Sequence, residues 1–201
     1  MEGNMALKPK TTKTPSKLLD KDIREPLFIF LECEYGRMRI FEEKTIGKSR
    51  ADVVMVLDDL LCGIEIKSDA DSYARLKKQV RDYDKYYDIN YAAVGASHGL
   101  HIEEHIPPYW GIIVFDLEDG KPDFYIQRRP QMNPKCKPLK KLEILWASEL
   151  SHISVLNGMP KYTSKNKAFI REKLVEKVDP ELLRRQVSEE LFNRDYTLFN
   201  N

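Results

Sequence analysis

Two apolar segments joined by a short acidic turn constrain the fold of this chain more than any other feature. Residues 50–56 and 61–68 have the composition of β-strands, and the turn between them predicts an antiparallel hairpin. Side chains alternate along a strand, so Glu65 and Lys67 share one face. A carboxylate and an ammonium on an apolar strand are costly to bury unless they are paired or bind a ligand. Hairpin pairing brings Asp52 beside Glu65, and the cluster therefore predicts a divalent-metal site with a charged helper.

The spacing of these residues also matches a known pattern. Asp52, followed thirteen residues later by Glu65-Ile66-Lys67, resembles the D…(D/E)-x-K signature of the PD-(D/E)XK nuclease superfamily. The wider sequence is similar to a family of bacterial and phage proteins within that superfamily. This likeness is carried by Ser49-Arg50-Ala51-Asp52, Gly63-Ile64-Glu65-Ile66-Lys67-Ser68-Asp69, Asp71, Arg75-Leu76, Gln79-Val80, Tyr83, residues 107–115 and, more loosely, residues 145–150.

The resemblance implies a restriction-endonuclease-like fold and the hydrolysis of phosphodiester bonds in nucleic acid, with DNA as the expected substrate. Asp52 and Glu65 would hold Mg²⁺ or Mn²⁺ together with the Ile66 carbonyl, because hard cations take oxygen ligands. Lys67 would orient an attacking water or offset negative charge in the transition state. The chain departs from the signature in having Arg50-Ala51-Asp52 in place of Pro-Asp, but only the Asp is asked to bind metal.

Three residues of the following helix extend this set. Arg75, Gln79 and Tyr83 are spaced four apart, so they lie on one helix face that can look back toward the Glu65 strand. Relatives carry Gln and Tyr at the matching positions, so Gln79 joins the catalytic set. Tyr83 is an auxiliary candidate whose role as a core tyrosine explains it at least as well. Arg75 is expected to contact nucleic acid.

Two further acids are auxiliary candidates for the metal site. In the superfamily the first helix often contributes a carboxylate, and Glu25 is the candidate here, although a surface or capping role fits it equally well. Relatives often carry an acid at the position of Glu43, which a solvent-facing strand position also explains.

A basic, proline-punctuated segment after residue 127 has two interpretations. The formal net charge is only +1, so binding of nucleic acid has to rest on local patches. Arg128 and Arg129 are the candidates for phosphate contact, and ordinary solubility explains the segment equally well. The other cations of the segment are Lys135, Lys137, Lys140 and Lys141.

The apolar periodicity predicts a mixed α/β core in the order helix, three strands, helix, strand, then a further hairpin with its turn at Asp119-Gly120. The first strand is expected to end at residues 42–43, and the helix over about 72–87 is expected to bury a stripe that includes Tyr73. A strand–helix–strand crossover over residues 60–95 makes those strands parallel, and residues 124–128 form an antiparallel edge. Helices are expected at about 142–156, 168–178 and 181–192, with Leu145, Trp146, Leu150 and Ile153 facing inward.

The domain prediction follows from these elements. Residues 1–17 are expected to be a disordered basic arm, residues 18–130 a PD-(D/E)XK nuclease-like core, and residues 139–201 a helical C-terminal cap. The arm has no apolar segment, so it is not expected to be a signal peptide. Cys33, Cys62 and Cys136 are odd in number and widely spaced, which favours reduced thiols and a cytoplasmic location. No membrane association is expected, and a homodimer is considered as the assembly.

Other function classes stay open. His101-Ile102-Glu103-Glu104-His105 formally matches the H-x-x-E-H of inverted zinc proteases, but Pro107-Pro108 ends any helix there. A nucleic-acid-binding protein that keeps the fold without cleavage is a second alternative. A protein-interaction module of a phage or mobile element, acting through the C-terminal helices, is a third.

Overall fold

The computed structural model describes residues 20–118, 121–162 and 164–196. Within them the chain forms a six-stranded mixed sheet with helices on both faces and a helical C-terminal region. The predicted α/β class and the predicted order of elements are confirmed. The predicted arm at residues 1–17 and the turn expected at Asp119-Gly120 lie outside the described residues, and the division into core and cap stays a prediction.

The strands follow one another across the sheet in chain order. The first two pairs and the last pair are antiparallel. The β3–β4 pair is parallel, as the crossover predicts, and the β4–β5 pair is parallel as well. The last strand forms an antiparallel edge, also as predicted. The strands are β1 (Arg39–Ile46), β2 (Ser49–Val56), β3 (Leu61–Lys67), β4 (Ile89–Gly95), β5 (Gly111–Glu118) and β6 (Lys121–Arg128).

The helices are divided between the two faces and the C-terminal region. None of those formed by residues 20–118, 121–162 and 164–196 has the length and apolar content needed to span a bilayer. Single 3₁₀ turns occur at Tyr73–Arg75, Ile102–Glu104 and Leu142–Ile144. The α-helices are α1 (Asp20–Tyr35), α2 (Leu76–Tyr86), α3 (Ala96–Gly99), α4 (Pro138–Lys141), α5 (Ala147–Leu156), α6 (Lys167–Lys177) and α7 (Pro180–Asn193).

One face of the sheet is covered by α1. Its apolar residues recur at i, i+4 and i+8, so Ile23, Leu27 and Leu31 form one fully buried stripe against the sheet. Gly36 ends the helix with a φ of 69°, and its N–H donates to the Glu32 carbonyl at 2.8 Å. A left-handed residue at this position is how many helices terminate.

The opposite face of the sheet packs against α2 and the C-terminal helices. Gly63 on β3 makes the α2 contact feasible. A Cβ at this position would lie 2.7 Å from the Tyr83 ring and 2.3 Å from the Tyr87 ring, closer than real Cβ atoms approach. Both rings therefore rest directly on the backbone of β3, and Tyr83 comes within reach of the neighbouring strand.

Three sequence predictions need correction. The strand expected to end near residue 43 continues to Ile46, with Glu43 at a φ of 53°. The helix expected over residues 142–156 is interrupted before α5, because Trp146 is extended and its N–H donates to the Glu149 carboxylate at 2.6 Å. Trp146 itself is half-buried rather than inward-facing, with the Arg194 guanidinium 4.3 Å from its ring centroid.

Candidate active site

The strands β2 and β3 separate at the point where the acidic residues stand. Their pairing runs from Val56 opposite Leu61 to Val53 opposite Ile64 and goes no further. The Tyr83 hydroxyl occupies the gap, accepting the Asp52 N–H at 3.0 Å and donating to the Ile64 carbonyl at 3.2 Å. A side chain of α2 thus replaces one rung of the ladder. We call this opening between Asp52 and Glu65 the fork.

The side chain of Asp52 reaches across the fork to β3. Its Oδ2 accepts the Ile66 N–H at 2.9 Å, which places the carboxylate next to the residue that follows Glu65. The Asp52 carbonyl accepts from the Arg24 guanidinium of α1 at 3.1 Å. The hairpin therefore places Asp52 and Glu65 on the same groove, although the ladder ends one residue before either of them and does not pair them directly.

Glu65 is fully buried and unevenly satisfied. Its Oε1 accepts from both the Lys67 ammonium and the Gln79 amide. Its Oε2 and the Gln79 Oε1 are buried and have no hydrogen-bond partner among the described residues. Buried acceptors without a donor are rare in folded proteins, because they lose hydration without compensation. Two of them in one place call for a cation or an ordered water.

The electrostatics of Glu65 point the same way. Burial, and then the negative charge of Asp52, raise the pKa of Glu65 from 4.5 to about 7, while the Lys67 ammonium acts in the opposite direction. The negative charge in the fork is thus only partly neutralised by the chain itself. A site of this kind attracts a proton or a metal ion, and perturbed carboxylates in clefts are frequent at functional sites.

The fork opens into a groove of about 350 Å³. Three acidic side chains line it, namely Asp52, Glu65 and Asp71. Asp71 is held at the rim by Ser68, whose N–H and hydroxyl both donate to it at 2.8 Å. The basic side chains outnumber the acids, and they are Lys48, Arg50, Lys67, Arg75 and Lys78. The basic side chains therefore suit the groove to an anionic ligand, part of which would lie next to the acidic residues at the bottom of the groove.

The donor set of the fork fits a hard divalent cation. It offers two carboxylates, the unpartnered Glu65 and Gln79 oxygens, and the Ile66 backbone along the same wall. Within residues 20–118, 121–162 and 164–196 there is no cluster of three or more His, Cys, Asp or Glu side chains able to hold a metal. Mg²⁺ typically uses one or two carboxylates and keeps several waters, so a site with two carboxylates suffices.

The two auxiliary acids lie differently. Glu25 is exposed on α1 and does not line the groove. Glu43 stands opposite Asp52 on β1, but its carboxylate is paired with Arg50 at 2.9 Å and lies 3.6 Å from Arg24. The structure therefore brings neither acid to the metal donors. Their metal roles stay predictions.

The residue that α1 does send to the fork is Arg24, which sequence reasoning missed. It bonds to the Asp52 carbonyl and to Glu42 at 3.0 Å. The signal was present, because Arg24 adjoins Ile23 and sits four positions before the half-buried Phe28 on the sheet-facing side. The resemblance implies a carboxylate on this helix, and it therefore favoured Glu25 instead.

Three cations of the basic segment that begins at the end of β6 bond to other parts of the protein. Arg128 donates to the Trp110 carbonyl at 2.8 Å, and Arg129 pairs with Glu34 at 2.8 Å. Neither lines the groove, so their contact with nucleic acid stays a prediction. Lys141, one of the cations proposed for phosphate contact or solubility, is instead buried and pairs with Asp88 at 2.5 Å.

The histidine cluster does not form the helix that a zinc protease needs. Residues Ile102–Glu104 make a single 3₁₀ turn, and the rings of His98 and His105 pack on Tyr73 at 4.8 and 4.2 Å between centroids. Tyr73, expected in the buried stripe of α2, is half-buried and supports these histidines. The geometry agrees with a connector segment.

Comparison with known proteins gives one extensive match. The model of the family described as bacteriophage P4 protein cII matches residues 21–200. No curated protein matches the chain. Among solved structures, the chain is similar to SfsA of Pyrococcus furiosus in complex with Ca²⁺, at 12% identity and a TM-score of 0.33. That match covers 55% of this chain and 62% of that one, less than two thirds of its length, and it is too distant to bear on function.

Proposed function

We propose that this protein, which belongs to the bacteriophage P4 protein cII family, is a metal-dependent nuclease of the PD-(D/E)XK type that hydrolyses phosphodiester bonds, with DNA as its substrate. The observation that carries the proposal is the fork. A buried Glu65 with a pKa raised to about 7 and one unpartnered oxygen stands beside Asp52 and Lys67 at the floor of a basic groove.

Asp52 and Glu65 are the residues that would hold Mg²⁺ or Mn²⁺, with the Ile66 carbonyl and water completing the shell. When bound, the cation supplies positive charge to a phosphate oxygen and lowers the pKa of a coordinated water. Asp52 is oriented for this task from two sides, because Tyr83 holds its N–H and the Ile66 N–H holds its carboxylate. Its geometry is thus fixed before any ligand arrives.

Lys67 and Gln79 act on the same carboxylate. The Lys67 ammonium bonds to Glu65 and lines the groove, so it can turn toward a phosphate while staying near the acid. There it offsets the negative charge that grows on phosphorus in the transition state. Gln79 holds Glu65 in place through its amide and presents its oxygen to the fork. Lys48, Arg50 and Arg75 are positioned to contact the neighbouring phosphates.

The decisive measurement is cleavage of supercoiled, linear and single-stranded DNA, and of RNA, with Mg²⁺ or Mn²⁺. We expect Lys67→Ala to slow cleavage on the order of 100-fold or more, as the loss of one electrostatic contact to a transition state does elsewhere. Binding of DNA should largely persist. Asp52→Asn should weaken the metal, so activity should recover partly at high Mn²⁺. Lys161→Ala, at an exposed position, is the matched control and should cut normally.

A binding module without cleavage is the second candidate. It is favoured by the hydrogen bonds that Lys67 and Gln79 already donate to Glu65, because these stabilise the buried carboxylate without a metal ion. If the wild-type protein cuts none of the four substrates with either metal, and both fork variants bind nucleic acid as it does, this candidate replaces the nuclease. A thermal melt of each variant excludes misfolding as the cause. The homodimer stays a prediction.

A further inference from the structure

Helix α2 separates its charges in an unusual way. Its two acids turn inward: Asp82 accepts from the Ser49 hydroxyl at 2.6 Å, and Asp84 accepts from Tyr109 at 2.7 Å and Trp110 at 2.9 Å. Both are less than a tenth exposed. The basic residues of the helix point outward. Apart from the Asp82–Lys85 pair, the acids of α2 bond to other segments, so the outer surface of the helix carries an excess of positive charge.

We define the basic face as the outward-pointing cations of α2 together with those of the loop that carries Lys135 and Lys137 and packs against the C-terminal end of α2. At about 100° per residue, the α2 members fall within an arc of about 100°. Lys77, Lys78, Arg81 and Lys137 form no ion pair with any of the described residues. Lys85 pairs with Asp82, and Lys135 lies 3.8 Å from Asp84. The members are Lys77, Lys78, Arg81, Lys85, Lys135 and Lys137.

The basic face continues the groove of the fork without a break. Lys78 belongs to both, since it lines the groove and donates to the Lys48 carbonyl at 3.0 Å. At the other end, Arg81, Lys85, Lys135 and Lys137 line one shallow depression. The Lys137 N–H donates to the Lys85 carbonyl at 3.0 Å, which fixes the loop to the helix. In a chain with a net charge of +1, this is a strongly local concentration of charge.

We propose that the basic face binds the sugar-phosphate backbone of double-stranded DNA beside the fork. This inference rests on the proposed function in one respect, namely that the DNA runs along the basic face toward the fork. From Lys77 to Lys85, the helix spans about 12 Å. One strand of a duplex presents a phosphate about every 3.4 Å along the axis, so the helical part of the face matches about three or four phosphates.

The same face offers no exposed aromatic ring among the described residues, since Tyr109, whose ring centroid is 5.7 Å from the Lys135 ammonium, is half-buried. Proteins that bind single strands combine cations with aromatic side chains on which bases stack. The large aromatic residues exposed in the described parts of the chain are Tyr125 and Tyr196, on β6 and after α7, and neither belongs to the basic face. Contacts to phosphate alone carry no sequence information, so this binding is independent of sequence.

The test measures affinity for a 30-base-pair duplex, the corresponding single strand and duplex RNA in EDTA, where neither metal nor cleavage contributes. We compare wild type, Lys77→Ala/Arg81→Ala and the control Lys121→Ala/Lys161→Ala. The control removes the same charge from exposed positions elsewhere. The double change on α2 should weaken duplex DNA binding about tenfold and reduce the slope of log K against log salt by roughly two. The control should change affinity less than twofold.

An equal loss in the control pair, or an unchanged salt slope in the α2 pair, overturns the proposal. A stronger effect on the single strand than on the duplex also overturns it. An equal effect on duplex RNA shows that the face binds the phosphate backbone of either duplex and does not select DNA. A failure of the proposed nuclease function would give a different set of results. Wild type would then cut nothing with Mg²⁺ or Mn²⁺, while the α2 changes would still weaken duplex binding.

Discussion

Within the described parts of the chain, two lysine–carboxylate pairs are buried at opposite ends of β3, and their surroundings differ. At the start of the strand, Asp88 accepts the Lys141 ammonium at 2.5 Å and the Leu61 N–H at 2.8 Å through one oxygen. No oxygen of Asp88 is among the buried, unpartnered atoms of the described residues. Near the end of the strand, Glu65 shares one oxygen between Lys67 and Gln79 and leaves the other unpartnered.

This difference separates a structural pair from a pair that is available to a ligand. The Asp88–Lys141 pair joins α4 to the sheet and leaves no buried Asp88 oxygen unpartnered among the described residues, although it too lines a cavity, of about 180 Å³. The Glu65–Lys67 pair lies on the wall of a groove and stands beside a second carboxylate, Asp52. Burial alone does not identify a functional carboxylate, because both acids are buried. What distinguishes Glu65 is its unpartnered oxygen and the neighbouring negative charge of Asp52.

The largest expected effect tests whether the Asp88–Lys141 pair is structural. Lys141→Ala should lower the free energy of unfolding by about 3–5 kcal/mol, because it leaves Asp88 buried without its cation. Lys67→Ala should cost less than half as much, since a Glu65 with a pKa near 7 can take up a proton at the edge of the groove. Urea unfolding at neutral pH measures both values. Equal losses would remove the distinction between the pairs.

A second prediction follows from the sign of the Glu65 shift. Its pKa rises from 4.5 in an unfolded chain to about 7 in the fold, so the folded state holds the proton over a wider range. Stability should therefore fall as pH rises from about 4.5 to about 7, by about 3 kcal/mol from this group. In Glu65→Gln this part of the pH dependence should disappear. Parallel profiles of the two proteins, measured in EDTA, would contradict the assignment.

The smallest effect compares two buried tyrosines four residues apart, Tyr83 on α2 and Tyr87 immediately after it. Tyr83→Phe removes the hydroxyl that bridges Asp52 and Ile64, and it should cost about 1–3 kcal/mol by leaving buried groups unpaired. Tyr87→Phe is the matched control, because the Tyr87 hydroxyl is buried without a partner among the described residues. Its loss should be neutral or slightly stabilising. Thermal melts at one pH distinguish the two variants. Equal losses of stability would contradict the bridging role of the Tyr83 hydroxyl in the fork.

Much of the fold followed from local patterns. The alternation of β3, the acidic turn before it and the crossover through α2 all depend on short stretches of chain, and all are confirmed. The approach of Asp52 to Glu65 followed from the same hairpin. Helical spacing also placed Gln79 on the side of α2 that faces Glu65, and its amide lies there. The chemical roles of these residues stay predictions.

What the sequence did not disclose depends on contacts between distant segments. Tyr83 separates β2 from β3 only because Gly63 lets its ring lie on the strand, and no periodicity expresses that contact. Arg24 reaches Asp52 across 28 positions of the sequence. Lys141 looked like a solvated cation in a basic segment, and only the docking of α4 against the sheet buries it. Composition describes a segment, whereas burial depends on what packs over it.

The position of Lys141 also limits how this chain can be divided. The residue lies just beyond the boundary that composition draws before the helical cap, yet its partner Asp88 lies between α2 and β4. A truncated core ending at residue 137 would lose the cation and keep the enclosed acid. Recombination between relatives at this boundary would separate the partners in the same way. We therefore expect that the C-terminal helices cannot be removed without destabilising the sheet, and that the two segments are inherited together.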